Sequence, residues 1–197
     1  AALLAVLTIA MLVATAMTTK SAANMRDEAH ATREQAGQEL ASYWCAQITP
    51  ENVAKFDELR DLYLGVSETA QNAVDQQCQK KVTITDLVTN NDPNGAFDAT
   101  SACTINASST KITCTATVTA NDTIKKDLAS FSSTTVTLQM SMQTTSSKLT
   151  SKGHDLGEVA TVDVDRSGTG KTQFTVPYDP TWGEYYKVDV KSFFPNE

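Results

Sequence analysis

A chain of 197 residues, 41% apolar and 20% charged, has the composition of an ordinary folded protein and room for one or two domains. Its net charge of -7 argues against a nucleic acid or an anionic membrane surface as partner, because both need a basic face.

The run AALLAVLTIAMLVATAM, from Ala1 to Met17, holds no charged residue. Its polar members, Thr8 and Thr15, return their hydroxyls to helical carbonyls, which lipid tolerates. At about 1.5 Å per residue the run spans roughly 26 Å, a little less than the ~30 Å hydrocarbon core, and slight thinning of the bilayer makes up the difference. Residues 1–19 are therefore expected to form a transmembrane anchor in the lipid bilayer. Ala1, Ala5, Ala10, Ala14 and Ala16 offer small positions for helix packing there. A cleaved signal peptide competes with this reading, but TTKSAANMRDEAHATREQAGQEL continues helical with no cleavage turn.

Residues 20–80 read as an extracytoplasmic helical segment. Met25, Ala29, Ala36, Leu40 and Tyr43 recur at helical spacing and mark one face, with Trp44 beside them. A second helix is expected from TPEN, with Thr49 as N-cap, Pro50 first inside and Glu51 in the first turn. Its apolar stripe is Val53, Phe56, Leu59, Leu62 and Tyr63, and Gly65 interrupts it. Ser67 and Glu68 start a third helix reaching about Gln79.

The chain has four cysteines, Cys45, Cys78, Cys103 and Cys114, with no CxxC spacing. An even count in this pattern points to disulfides and an oxidising compartment, which places the C-terminal part of a single-pass cell-membrane protein outside the cytoplasm. A metal site is not expected, since no cysteine pair has ligand spacing and His30 lies far from His154. A disulfide needs Cα atoms within about 7 Å, and a break at Gly65 folds the chain back far enough to pair Cys45 with Cys78. Cys103 and Cys114 then close a hairpin, although four cysteines allow other pairings.

After Lys81 the pattern becomes alternating and rich in Thr and Val, the signature of strands. Seven segments are candidates: KVTITDLV, SACTI, KITCTATVTA, STTVTLQMSM, GEVATVDVD, TQFTVPY and YYKVDVKSFF. Turn signals separate them at 91–95, at Asn121-Asp122, at Gly153 and at Ser167-Gly168. Short strands at this spacing indicate an antiparallel sandwich over 81–197, and an α+β chain as a whole.

The stretch DRSGTGKTQF imitates a phosphate-binding P-loop, but Asp165 stands where the first glycine belongs. The adjoining TQFTVPYDP alternates like a strand, and Pro177 breaks any helix. The stretch reads as a hairpin turn, with Gly168 and Gly170 supplying positive φ. No catalytic constellation emerges: His30 reads as an exposed helix residue, and His154 beside Asp155 reads as a surface turn. Asp86, Asp92 and Asp98 lack the spacing of a calcium loop. Asn106 and Asn121 head glycosylation sequons of a kind common in Ser/Thr-rich chains. YDPTWGEYY is the densest aromatic patch, and Tyr178, Trp182 and Tyr185 are candidate protein-contact residues.

From Lys81 to Phe194 the chain resembles the FxLYD-type, immunoglobulin-like module of bacterial envelope proteins. The resemblance rests on Asn121, the Gly168/Gly170 turn, Phe174 and Val176, and a last strand with Tyr186, Val188 and Val190. VTLQM stands where the LYD element belongs, and the Cys103–Cys114 hairpin is an addition. The resemblance implies an immunoglobulin-like sandwich with a binding or structural role and no catalysis. The layout of anchor, helical segment and one module is similar to single-pass proteins of actinobacterial envelopes. The leading expectation is thus a non-enzymatic accessory or scaffolding subunit of a respiratory or transport complex in the envelope. It needs no cofactor, and its partners are other membrane-protein subunits. The alternative is a pilin-like filament subunit that self-associates: type IV pilins also run from an apolar helix into an amphipathic one and a disulfide-bearing β domain. Ala5, where pilins carry a glutamate, counts against it. A ligand-binding or sensory ectodomain is a third option.

Overall fold

A computed structural model describes residues 22–105, 110–144 and 154–197. The expected anchor, residues 1–19, lies outside them. Among the described residues no helix is long and apolar enough to cross a membrane. The architecture is α+β: helices first, then two antiparallel sheets.

Helix α1, Ala22–Gln47, buries only its C-terminal half, through Ala41, Trp44 and Cys45. A 3-10 turn over Pro50–Lys55 leads into α2, Phe56–Gly65. The helix expected directly from Thr49 thus starts six residues late, and the Thr49 side chain makes no capping bond. Helix α3, Glu68–Asn90, opens on Ser67, whose hydroxyl accepts from the Ala70 amide at 3.4 Å. It runs parallel to the upper half of α1: Gly37 lies against Ala70, Ser42 bonds Gln77, and Cys45 reaches Cys78. Helix α2 returns alongside them. The Trp44 indole donates to Leu59 O at 2.7 Å, and its ring lies 5.7 Å from that of Tyr63.

The segment expected as a first strand, KVTITDLV, belongs to α3. Ile84 and Thr85 are buried, and Val82, Leu87 and Val88 pack against the core, so tertiary contacts override the strand preference of the β-branched run. The hydroxyls of Thr83, Thr85 and Thr89 are absorbed by carbonyls one turn back, at 3.3, 2.9 and 2.9 Å. The helical part extends through a short turn, α4 (Pro93–Ala96), and the first strand begins only at Phe97.

Among the described residues six strands follow: β1 (Phe97–Ile105), β2 (Lys111–Ala120), β3 (Ser133–Gln143), β4 (His154–Val164), β5 (Thr169–Pro177) and β6 (Tyr185–Asn196). Helix α5, Asp122–Leu128, fills the connection expected as a simple turn; Asn121 caps it, its carboxamide oxygen accepting from Thr123 N and Ile124 N at 2.9 Å each. The sheets have strand orders β1-β2-β5 and β4-β3-β6. Alternation aims Ile112, Cys114, Ala116 and Val118 of β2, and Val136, Leu138, Met140 and Met142 of β3, into one buried core. Pro177 closes β5, a sheet-edge strand, where its missing N–H costs least.

A register shift in the β3–β6 ladder makes Lys191 an extra residue. Adjacent phenylalanines then both find cover: Phe193 meets Phe97 at 5.1 Å, and Phe194 meets Phe56 of α2 at 6.2 Å. That second contact seats the helical layer on the sandwich. Asn94 of α4 adds to it by accepting the Val190 amide at 2.9 Å. Between the β1 and β6 edges, the Tyr186 hydroxyl accepts from Cys103 N at 3.1 Å and donates to Ser101 O at 3.4 Å. Polar edge groups are thereby paired within the chain rather than left for another strand.

Both expected disulfides are present, Cys45–Cys78 and Cys103–Cys114, with Cα separations of 6.1 and 4.0 Å.

Candidate interaction surface

The aromatic patch is built on a tight turn. Asp179 Oδ1 accepts from Thr181 N at 2.8 Å and from the Thr181 hydroxyl at 2.7 Å, which winds Pro180–Trp182 into a single 3-10 turn. These bonds hold the Asp179 carboxyl below its ordinary range. Gly183 leaves the turn at φ 96°, against the Gln143–Thr144 backbone. The three candidate residues then separate. Tyr178 is 6% exposed and packs into the core. Trp182 is half-buried, with the His154 ring stacked on it at 3.9 Å and 10°. Tyr185 is 46% exposed. A shallow groove of about 590 Å³ runs beside them, lined by Lys111, Val176, Pro177, Tyr178, Asp179 and Trp182.

His154 and Asp155, expected in a surface turn, instead open β4, where the Asp155 carboxylate accepts from Gly157 N at 2.8 Å. No local signal announces the His154–Trp182 stack, because only the fold of β4 against the β5–β6 connection creates it. The P-loop lookalike is a hairpin turn. Asp165 Oδ1 accepts from Ser167 N at 2.8 Å and from the Ser167 hydroxyl at 2.5 Å, so its carboxylate occupies the position where amides would meet phosphate, and its pKa is lowered by those bonds. Gly168 has φ 82°, as expected. Gly170 does not have positive φ; it is needed because a Cβ there would sit 2.5 Å from Asp163 O.

Of the three loop aspartates, Asp86 faces Arg60 at 3.4 Å, Asp92 begins α4 and Asp98 lies in β1. Among the described residues no cluster of three acidic, cysteine or histidine side chains is placed to hold a metal. Asn121 is committed to its helix cap, and its amide nitrogen donates to Gly95 O at 2.6 Å. Asn106 falls outside the described residues.

A second surface lies along α1. Residues 30–36 are all exposed, so this stretch of α1 lies off the core. At about 100° per residue, Met25, Ala29, Ala36, Leu40 and Tyr43 share an arc of roughly 60°. Arg26 and Arg33 flank that arc on one side, and Glu28 and Glu39 on the other, about 50–90° from its centre. Tyr43, at its upper end, is 45% exposed.

One titration is set by the helical packing. Burial, then the 2.9 Å bond to Asp75, then the charges of Asp75 and Asp86 push Tyr63 from its ordinary 10.0 up to about 12. The unfolded chain loses this proton near pH 10 while the fold keeps it, so the stability tied to the neutral phenol is complete below pH 10 and is lost as pH rises toward 12. Tyr63→Phe is expected to flatten that part of the alkaline fall in melting temperature. An unchanged slope in the variant counts against the assignment.

No family model, no curated protein and no solved structure matches this chain.

Proposed function

We propose that the chain is a non-catalytic assembly subunit of a bacterial envelope, anchored by residues 1–19, with its disulfide-bonded head outside the cytoplasm. Within that class the geometry favours a pilin-like filament subunit. The observation that carries this reading is the α1 surface: an apolar stripe with arginines along one flank and glutamates along the other, on a helix that leaves the head unbroken. Parallel copies packed along the stripe set Arg26 and Arg33 of one beside Glu28 and Glu39 of the next, whereas antiparallel copies oppose like charges. The apolar run 1–17 extends the same mode of packing in sequence.

The accessory-subunit reading is supported by the head. The order β1-β2-β5 and β4-β3-β6 is compatible with an immunoglobulin-like sandwich in which β4 pairs with β3. That agrees with the FxLYD-type resemblance, and exposed Tyr185 beside Trp182 offers an aromatic contact point.

The test is to purify the tagged full chain from membranes in mild detergent, identify co-purifying proteins by mass spectrometry and image the eluate by negative stain. Filaments of this chain support the pilin-like reading. Stoichiometric recovery of other membrane subunits without filaments replaces it with the accessory role. A lone monomer overturns both.

A further inference from the structure

Helix α3 is two helices joined at a fault. Cys78 has φ -153° and ψ 53°, outside the helical region, so the ladder of Glu68–Gln77 does not propagate through it. Beyond the fault lie residues 79–90, QKKVTITDLVTN, in which Val82, Thr83, Ile84, Thr85, Val88 and Thr89 are β-branched. Such residues lose side-chain freedom in a helix, and a helix this short is marginal in water even for alanine-rich sequences. Read alone, the segment is a strand.

Its attachments to α1 gather at one point, apart from the core contacts of Val82, Ile84, Leu87 and Val88. The Cys45–Cys78 disulfide fixes its start to α1, and Lys81 Nζ donates to the carbonyl of the same Cys45 at 2.6 Å. Further along, Ile84 is 1% exposed and Thr85 2%. Arg60 faces Asp86 at 3.4 Å, but their side chains are 35% and 55% exposed, and the guanidinium Nε is not aligned to hydrogen-bond, so this pair adds little. Opening the disulfide frees the fault residue and loosens the lysine bond together.

We infer that the Cys45–Cys78 disulfide is a folding gate for the second half of α3: residues 79–90 hold their helix while the bond is closed and leave it when the bond is open. Closure removes two protons and two electrons from the thiol pair, and a disulfide oxidant accepts them and leaves as a dithiol. The helical layer on β6 is therefore completed only after the chain meets an oxidising compartment, and a strand-prone segment stays uncommitted before that.

Hydrogen exchange read by mass spectrometry on the full chain in detergent tests this. The doubly substituted chain, Cys45→Ser with Cys78→Ser, keeps the Cys103–Cys114 bond, so any change belongs to the helical bond alone. Amide protection across 80–90 is expected to fall by about tenfold or more, while β2 and β3 change by less than about twofold. Adding Thr83→Ala and Thr89→Ala in that background is expected to restore part of the protection, because alanine favours the helix. Unchanged protection of 80–90 overturns the inference. So does a uniform loss across the sheets, which makes the bond a general staple, and so does failure of the alanines to recover any protection.

Discussion

Trp44→Ala is expected to cost about 3–5 kcal/mol of stability, the usual range for emptying the site of a large buried aromatic residue. Trp44 is 1% exposed, and three elements meet on it. It stands on α1, its indole donates to Leu59 O of α2 at 2.7 Å, and its ring lies against Tyr63, whose hydroxyl reaches Asp75 of α3 at 2.9 Å. Truncation opens a cavity and also leaves the Leu59 carbonyl without this donor. Trp44→Phe separates the two effects: it retains most of the volume and loses the hydrogen bond, for about 1 kcal/mol plus a smaller cavity. Urea unfolding of the oxidised chain, followed by circular dichroism, gives both values. A Trp44→Ala midpoint close to that of Trp44→Phe would mean that the three-helix contact contributes little, and that the helical layer is held together elsewhere.

Much of that layer is legible in the residues. Pro50, Glu51 and Ser67 announce helix starts, and Gly65 announces the break that lets Cys45 meet Cys78. The start at Thr49 is misplaced by six residues because residues that open a 3-10 turn and an α-helix are the same. KVTITDLV reads as a strand because β-branched alternation is the stronger local signal. Its helical state depends on Ile84 and Thr85 being buried, and that depends on partners far along the chain. Asn121 reads as a turn, since a turn and a capped short helix begin with the same residue types. Gly170 suggests a positive φ, when close approach to Asp163 O is what requires it. In the aromatic patch, Tyr185 is exposed at the start of β6, Trp182 is half-buried under His154, and Tyr178 is buried. Alternation near a strand end leaves open which of these neighbours faces inward. The His154 partner of Trp182 is a product of topology, and no spacing rule reaches it.

Gly183→Ala is expected to be the most damaging single change in the sheet region, at about 3 kcal/mol or more, since backbone strain and overpacking act together there. Its φ of 96° and ψ of 175° lie in a region essentially closed to residues with a side chain. A Cβ would also overlap the Gln143 carbonyl and lie 2.5 Å from Thr144 Cα, both of them backbone that cannot swing aside. Gly157 supplies the control: it too has positive φ, 67°, but nothing lies within 4 Å of an added Cβ, so Gly157→Ala is limited to the conformational cost of about 1–2 kcal/mol. The difference between the two variants combines the less tolerant backbone conformation of Gly183 with the close packing of the Pro180–Trp182 turn on the end of β3. That packing holds Trp182 under His154, so the local readout is optical. In a Trp44→Phe background Trp182 is the only tryptophan left of two. Its emission is expected to shift to the red in Gly183→Ala and to stay put in Gly157→Ala. Equal destabilisation by the two alanines, with Trp182 emission unmoved, would show that the turn is free to give way. The aromatic patch would then lack the rigid seat that a protein-contact role requires.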